Sequence, residues 1–183
     1  NHSRMLVRAA ILLLALVLAL TVVSAASVHL KGGKNAKPSF YDGGLVLKAS
    51  GALAGLGNGD VLITLDAEAN VFSTCTNNGG HQAPGQNPAP ISVTGSQAIP
   101  VDEIKNGNTP FAVETEPPDP LIPGAPDCPN TNWTERIENL AFTEAWITVE
   151  QPEGTVVLTV YCAFHPPTED GAVPKRTVSC TSS

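Results

Sequence analysis

The chain has 183 residues, with ten Lys or Arg against seventeen Asp or Glu, four His, four Cys and a formal net charge of −7. An acidic excess spread over many short segments argues against nucleic acid and anionic membrane surfaces as partners. The length suits one ordinary domain with its own core, and Gly and Pro, sixteen of each, are scattered evenly enough to punctuate the whole of it.

Arg4 and Arg8 precede an unbroken apolar run, Ala9 to Val23, which ends in the small residues Ser24, Ala25 and Ala26. Residues 1–26 therefore read as a secretory signal peptide. The run is shorter than the roughly 20 residues a spanning helix needs, and no basic stop-transfer flank follows it. Met5, the only methionine, is the expected start, with Asn1–Arg4 an upstream artefact. Cleavage after Ala25 or Ala26 removes two basic residues and no acid, so the mature chain carries eight against seventeen, a net charge of −9. It is expected outside the cell and free of the membrane.

The next stretch, "SVHLKGGKNAKPSFYDGG", Ser27 to Gly44, is basic and poorly patterned, and is expected to be a flexible N-terminal arm before a single domain at 45–183. Cleavage after Ala26 gives it an amino terminus Ser27-Val28-His29. A free amine, two backbone nitrogens and the His29 imidazole then form a square-planar site for Cu(II) or Ni(II).

From Gly44 the pattern has a period of two. "GLVLKASGALAGLGNGD" places Leu45, Leu47, Ala49 and Leu53 on one face. "DVLITLDAEANVFSTC" places Val61, Ile63, Leu65, Ala67, Ala69, Val71 and Cys75 on one face, with Thr64, Asp66, Glu68, Asn70 and Thr74 on the other. Both read as half-buried strands, and Gly57-Asn58-Gly59-Asp60 between them predicts an antiparallel hairpin. Shorter strands are expected at Pro90–Gly95, around Ile99–Ile104 and at Pro110–Glu114. The proline-rich connections Gln82–Pro90 and Thr115–Asn130 lack the backbone donors for a central strand or helix.

In "NWTERIENLAFTEAW" a strand reading needs a change of face near Asn139, which a β-bulge supplies; a short helix over Trp133–Asn139 is the alternative. Gln151-Pro152-Glu153-Gly154 then turns a hairpin between Ala145, Ile147, Val149 and Val156, Leu158, Val160, Cys162. Strands at these intervals predict an all-β fold, an antiparallel, immunoglobulin-like β-sandwich of about seven strands.

Four cysteines in an exported chain read as two disulfides. If residues 162–180 fold back about Glu169–Ala172, Cys162 faces Cys180 across a ladder, leaving Cys75 with Cys128 to tether both proline-rich loops at one rim. Cys75 with Cys162, the bridge between sheets of an immunoglobulin core, is the rival pairing.

Candidate chemistry is sparse. His81 lies in "CTNNGGHQAPGQNPAPISVTG" among amides and glycines with no acid to orient it, which favours a solvated loop residue. His165 precedes Pro166-Pro167; with His81 and Asp170 or Glu169 it makes a copper or zinc set if the two loops share one end. No nucleophile elbow, catalytic triad or pair of carboxylates in an aromatic cleft has a recognisable spacing. Asp102-Glu103, Glu114 with Glu116, and Asn58 with Asp60 lack the run of oxygen ligands that calcium loops carry. Asn132-Trp133-Thr134 is a glycosylation acceptor in a eukaryotic source. Trp133 and Trp146 read as core or as a sugar-stacking platform.

"SGALAGLGNGDVLITL", "NNGGHQAPGQNPAPISVTG" and "CPNTNW" together resemble a group of small secreted proteins, mostly bacterial, with no assigned activity. The resemblance implies a secreted β domain and carries no site. The expected function is that of a non-enzymatic structural or binding module outside the cell. It either self-associates into an extracellular assembly or takes an extracellular protein or glycan ligand, with no obligatory cofactor. The competing class is a copper-binding or enzymatic protein using His29, His81 or His165.

Overall fold

Alternating apolar and polar residues sort to opposite faces of a strand, so each period-two run buries one side and wets the other. The computed structural model describes residues 27–33 and 35–183; the signal peptide expected at 1–26 lies outside them. Twelve strands follow in order: β1 (His29–Leu30), β2 (Ser39–Asp42), β3 (Leu47–Ala54), β4 (Val61–Thr76), β5 (Gln82–Pro84), β6 (Ile91–Ile99), β7 (Asn108–Glu114), β8 (Leu121–Ile122), β9 (Thr134–Glu150), β10 (Val156–Phe164), β11 (Gly171–Ala172) and β12 (Val178–Ser182). Eight have four residues or more, close to the expected number, and the only helical turns among the described residues are two short 3₁₀ turns.

All pairings are antiparallel, and the strands form two sheets. In the first, β3 carries β7 along one side and β2 and β1 end to end along the other, with β11 outside β2. The second runs β12-β10-β9-β4, with β6 and β5 on the far side of β4 and β8 beside β9. Leu47, Ala49, Leu53, Phe111 and Val113 of the first sheet and Val61, Ile63, Leu65, Ile147 and Val160 of the second belong to one buried cluster. Each fully buried Leu, Ile or Phe stabilises the fold by about 1.5–3 kcal/mol relative to exposure. Phe40 of β2 meets Phe164 of β10 edge to face, ring centroids 5.0 Å apart.

Three expectations are corrected. The β3 and β4 runs do not form a hairpin: β3 belongs to the first sheet and β4 to the second. Their inward faces meet across the core, a relation that the same alternation allows. Gly57–Asp60 is thus a crossover, held by Gln151, whose Oε1 accepts the Gly57 N–H at 2.7 Å and whose Nε2 donates to the carbonyls of Gly57 and Gly59 at 3.1 and 2.7 Å. Residues 27–44, expected as an arm, supply β1 and β2 and bury Val28, Leu30, Phe40 and Asp42. The strand expected around Ile99–Ile104 is the end of β6 followed by a 3₁₀ turn, Val101–Glu103.

The face change in β9 occurs where expected. Phe72 pairs with Asn139 and Ser73 with Ile137, so Glu138 is an extra residue. Thr143 is a second one, between the pairs Glu68–Glu144 and Ala69–Phe142. Burial accordingly passes from Glu135 and Ile137 to Leu140 and Phe142, and then to Ala145, Ile147 and Val149. The Gln151–Gly154 hairpin joins β9 to β10 as predicted.

Both preferred disulfides form. Cys162 lies opposite Cys180 in the β10–β12 ladder, Cα atoms 4.1 Å apart, and Cys75 joins Cys128 with Cα atoms 5.6 Å apart. The chain between Cys162 and Cys180 departs from a plain hairpin, because β11 at its tip leaves to pair with β2 of the first sheet. Two such bridges belong to a chain that folds in an oxidising compartment. No helix among the described residues is long and apolar enough to cross a membrane.

Candidate functional site

The outward positions of the second sheet line up in rows set by the register. One row reads Thr94, Asp66, Trp146, Tyr161, Thr181 across β6, β4, β9, β10 and β12. The row on one side is Ser92, Glu68, Glu144, Ala163, Ser179, and that on the other begins Ser96, Thr64, Thr148, Thr159. These rows hold hydroxyls, three carboxylates and one aromatic pair, and no Lys, Arg or His. Small β-branched and hydroxyl side chains suit a flat pleated surface, and directly opposed pairs are within contact distance.

Trp146 and Tyr161, both half-buried, sit side by side at the centre of this face with ring centroids 5.4 Å apart and planes tilted by 42°. The Tyr161 phenol is pushed above its ordinary range, first by loss of water contact, then by its hydrogen bond to Glu144 and the charges of Glu144 and Glu68. It therefore stays protonated beside the Glu144 carboxylate. Glu68 lies opposite Glu144, two like charges face to face, a pairing that costs stability in a sheet. The arrangement offers a tilted apolar platform rimmed by hydrogen-bond acceptors.

His29, His81 and His165 stand out in the sequence for their chemistry, and the structure does not bring them together. His81 is exposed in the turn after Cys75; Asn77 Oδ1 accepts the backbone N–H groups of Gly79 and His81 at 2.9 Å each, which makes it part of a local turn. His165 follows β10, whose Ala163 lies opposite Glu144, whereas Cys75 lies opposite Glu135. Nine residues of β9 separate those levels, about 30 Å at the rise of a strand. His29 belongs to the other sheet, opposite Ala54, with its Nδ1 2.8 Å from the Ser27 carbonyl oxygen. Among the described residues no group of three His, Cys, Asp or Glu is placed to hold a metal ion. Trp133 and Trp146 stand thirteen residues apart along the β9 segment, about 40 Å, so they share no platform; the partner of Trp146 is Tyr161. Counting back across the Gln151–Gly154 turn brings Tyr161 close to Trp146, but the irregularity between Val156 and Leu158 shifts that count.

Two buried carboxyl groups also lie outside the sequence reading. Asp42, 1% exposed, accepts the Gly44 N–H at 2.8 Å and the Thr168 hydroxyl, while the same Thr168 oxygen accepts the Phe142 N–H at 2.8 Å. Glu135, 0% exposed, accepts the Ser73 hydroxyl at 2.7 Å and the Asp127 N–H at 3.3 Å. The signal for Glu135 was its place at an inward position of the alternation that contains Ile137.

No known family matches the chain, and no curated protein is significantly similar to it.

Proposed function

We propose that the chain is a secreted, non-enzymatic binding module on an immunoglobulin-like β-sandwich, and that the outer face of its second sheet holds an extended glycan. The observation that supports this reading is the half-buried Trp146–Tyr161 pair at the centre of a flat face of hydroxyls and carboxylates. A sugar ring presents an apolar C–H face and a rim of hydroxyl donors. The first stacks on indole and phenol rings, and the second is met by Asp66, Glu68 and Glu144, whose ionised carboxylates accept without donating. A flat surface without a deep cleft fits a chain laid along it better than a small ligand enclosed by a pocket. Secretion is supported by the leader-like residues 1–26 and by the two disulfides.

Binding to a panel of insoluble polysaccharides tests the reading. Retention of the intact protein by at least one of them is expected. Trp146→Ala should weaken it about tenfold or more, the loss of one stacking surface, while Tyr41→Ala on the first sheet leaves it unchanged. Failure to bind any member of the panel, or a Trp146→Ala protein that keeps its circular dichroism and binds like the native one, overturns the proposal.

A further inference from the structure

The face that carries Trp146 and Tyr161 does not end with the central rows. Along β4 its outward positions continue from Asp66 and Glu68 to Asn70, Phe72 and Thr74. Phe72, 58% exposed, is the most exposed large apolar side chain among the described residues. A single apolar side chain at a surface is ordinary, but the place of this one is not. Asp66 lies directly opposite Trp146 in the β4–β9 ladder, and Phe72 stands six residues further along β4 on the same side. That is about 20 Å at the rise of a strand. Two aromatic surfaces thus share one face, spaced along the direction of its strands.

Between the two, the ladder presents Glu68 opposite Glu144 and Asn70 opposite Ala141, and Phe72 itself is opposite Asn139. No other aromatic side chain stands on that path. Beyond Phe72, Thr74 is opposite Arg136, and Arg136 is opposite Leu121 of β8, which is 46% exposed. Arg136 is the only basic residue in the strands of the second sheet. The only ion pair among the described residues is Lys48–Glu114, on the other sheet, which leaves the exposed Arg136 guanidinium as a fork of donors. The face therefore offers acceptors around Trp146 and donors beside Phe72. From these observations we propose, on the basis of the glycan reading above, that Phe72 is a second stacking subsite of the same face. Its ligand is then a single uncharged glycan chain long enough to reach from Trp146 to Phe72.

Each part of that ligand class has its own reason. A sugar hydroxyl both gives and accepts a hydrogen bond, so an uncharged chain is met at both ends of the face. A chain charged negatively at every ring would instead bring its charges against Asp66, Glu68 and Glu144. The extra residue Thr143 of β9 falls between the levels of the two aromatic side chains, and the second, Glu138, adjoins the Phe72–Asn139 pair. Bulges bend a strand and increase its twist, so the two platforms do not continue one plane. A single chain that turns between them fits this surface, and the flat side of a polysaccharide crystal does not. Once one stretch of a chain is stacked on Trp146, its engagement of Phe72 is intramolecular, so affinity rises steeply at the length that spans both.

Binding of soluble oligosaccharides of cellulose, chitin, xylan and mannan, graded in length from two rings upward, tests the subsite on the intact protein. In at least one series the dissociation constant should fall about tenfold or more over the lengths that first reach about 20 Å, and change little beyond. Phe72→Ala should abolish that fall while binding the short members as the native protein does, whereas Trp146→Ala weakens short and long members alike. Phe72→Tyr, which keeps a ring, should keep the fall. Oligosaccharides of alginate, charged at every ring, should not bind. Phe72 lies outside the core, and circular dichroism confirms that each variant is folded. A native protein that shows no such fall in any series it binds, or a Phe72→Ala protein that retains the fall, overturns the subsite and leaves the Trp146 platform standing. Alginate bound as tightly as the best uncharged series overturns the ligand class, and binding of no series overturns both the subsite and the platform.

Discussion

Gly95 stands where β6 of one sheet passes the end of β7 of the other, and a Cβ there would lie 1.9 Å from the Glu114 carbonyl oxygen and 2.7 Å from the Thr115 Cα. Backbone on both sides leaves no flexible group to yield. Gly95→Ala is expected to cost about 3 kcal/mol or more. The urea midpoint reads it against Gly79→Ala, whose new methyl meets nothing nearer than 3.4 Å and should stay within about 0.5 kcal/mol of native. Asp42 makes a different prediction. Burial raises its carboxyl above the ordinary value, the hydrogen bonds from Thr168 and Gly44 partly offset that rise, and the charge of Asp170 adds to it. Folding therefore favours the protonated acid. The stability Asp42 contributes is full below about pH 4, the unfolded range, and is lost as pH climbs through the folded value. Asp42→Asn should lose less stability between pH 4 and pH 7 than the native protein, as read from urea midpoints at the two values; parallel losses would refute this assignment.

Among the elements, the two disulfides restrain very different lengths of chain. Cys75 and Cys128 are 53 residues apart, Cys162 and Cys180 only 18. Loop-closure entropy then assigns about 4 kcal/mol to the first and about 3 kcal/mol to the second. Replacing each pair by Ser in turn and comparing denaturation midpoints should show the larger loss for Cys75–Cys128. That pairing was legible in the sequence because Cys162 and Cys180 are symmetric about a turn. The β9 bulge was legible because Ile137 and Leu140 cannot share a face of a regular strand. The partner of β3 was not. Alternation says which side of a strand is wet, and strands side by side or face to face across a core obey the same alternation. Tyr161 escaped notice for a related reason: its outward position follows from its own strand, but its contact with Trp146 depends on a register that one irregular pair displaces. Glu135 was hidden by the habit of treating acids as surface, although its position in the alternation is inward.

At the scale of the molecule, the segment expected as a flexible N-terminal arm, and so open to pairing with a second copy, is already used at home, since β1 and β2 lie on β3. Parts of the margins of both sheets are also occupied. Ala112 of β7 donates its N–H to Gln97 Oε1 at 2.9 Å, and Glu116 donates to the Thr94 carbonyl of β6 at 2.8 Å, so these two edges close on each other. On the opposite side Val173 donates to the Phe40 carbonyl at 3.0 Å, and the Lys37 ammonium donates to the Val178 carbonyl at 2.5 Å. Short terminal strands, a lysine on a border carbonyl and Pro110 within β7 are the devices by which sheets resist pairing with other chains. A net charge of −7 on the whole chain, −9 without residues 1–26, adds repulsion between copies at low salt. The protein should therefore remain monomeric across the micromolar range by light scattering, and more firmly so as salt is lowered. Association that grows with concentration would mean that some edge is still open. If the association persists at low salt, pairing of backbone groups is strong enough to outweigh the charge, and the assembly reading gains over that of a solitary glycan binder.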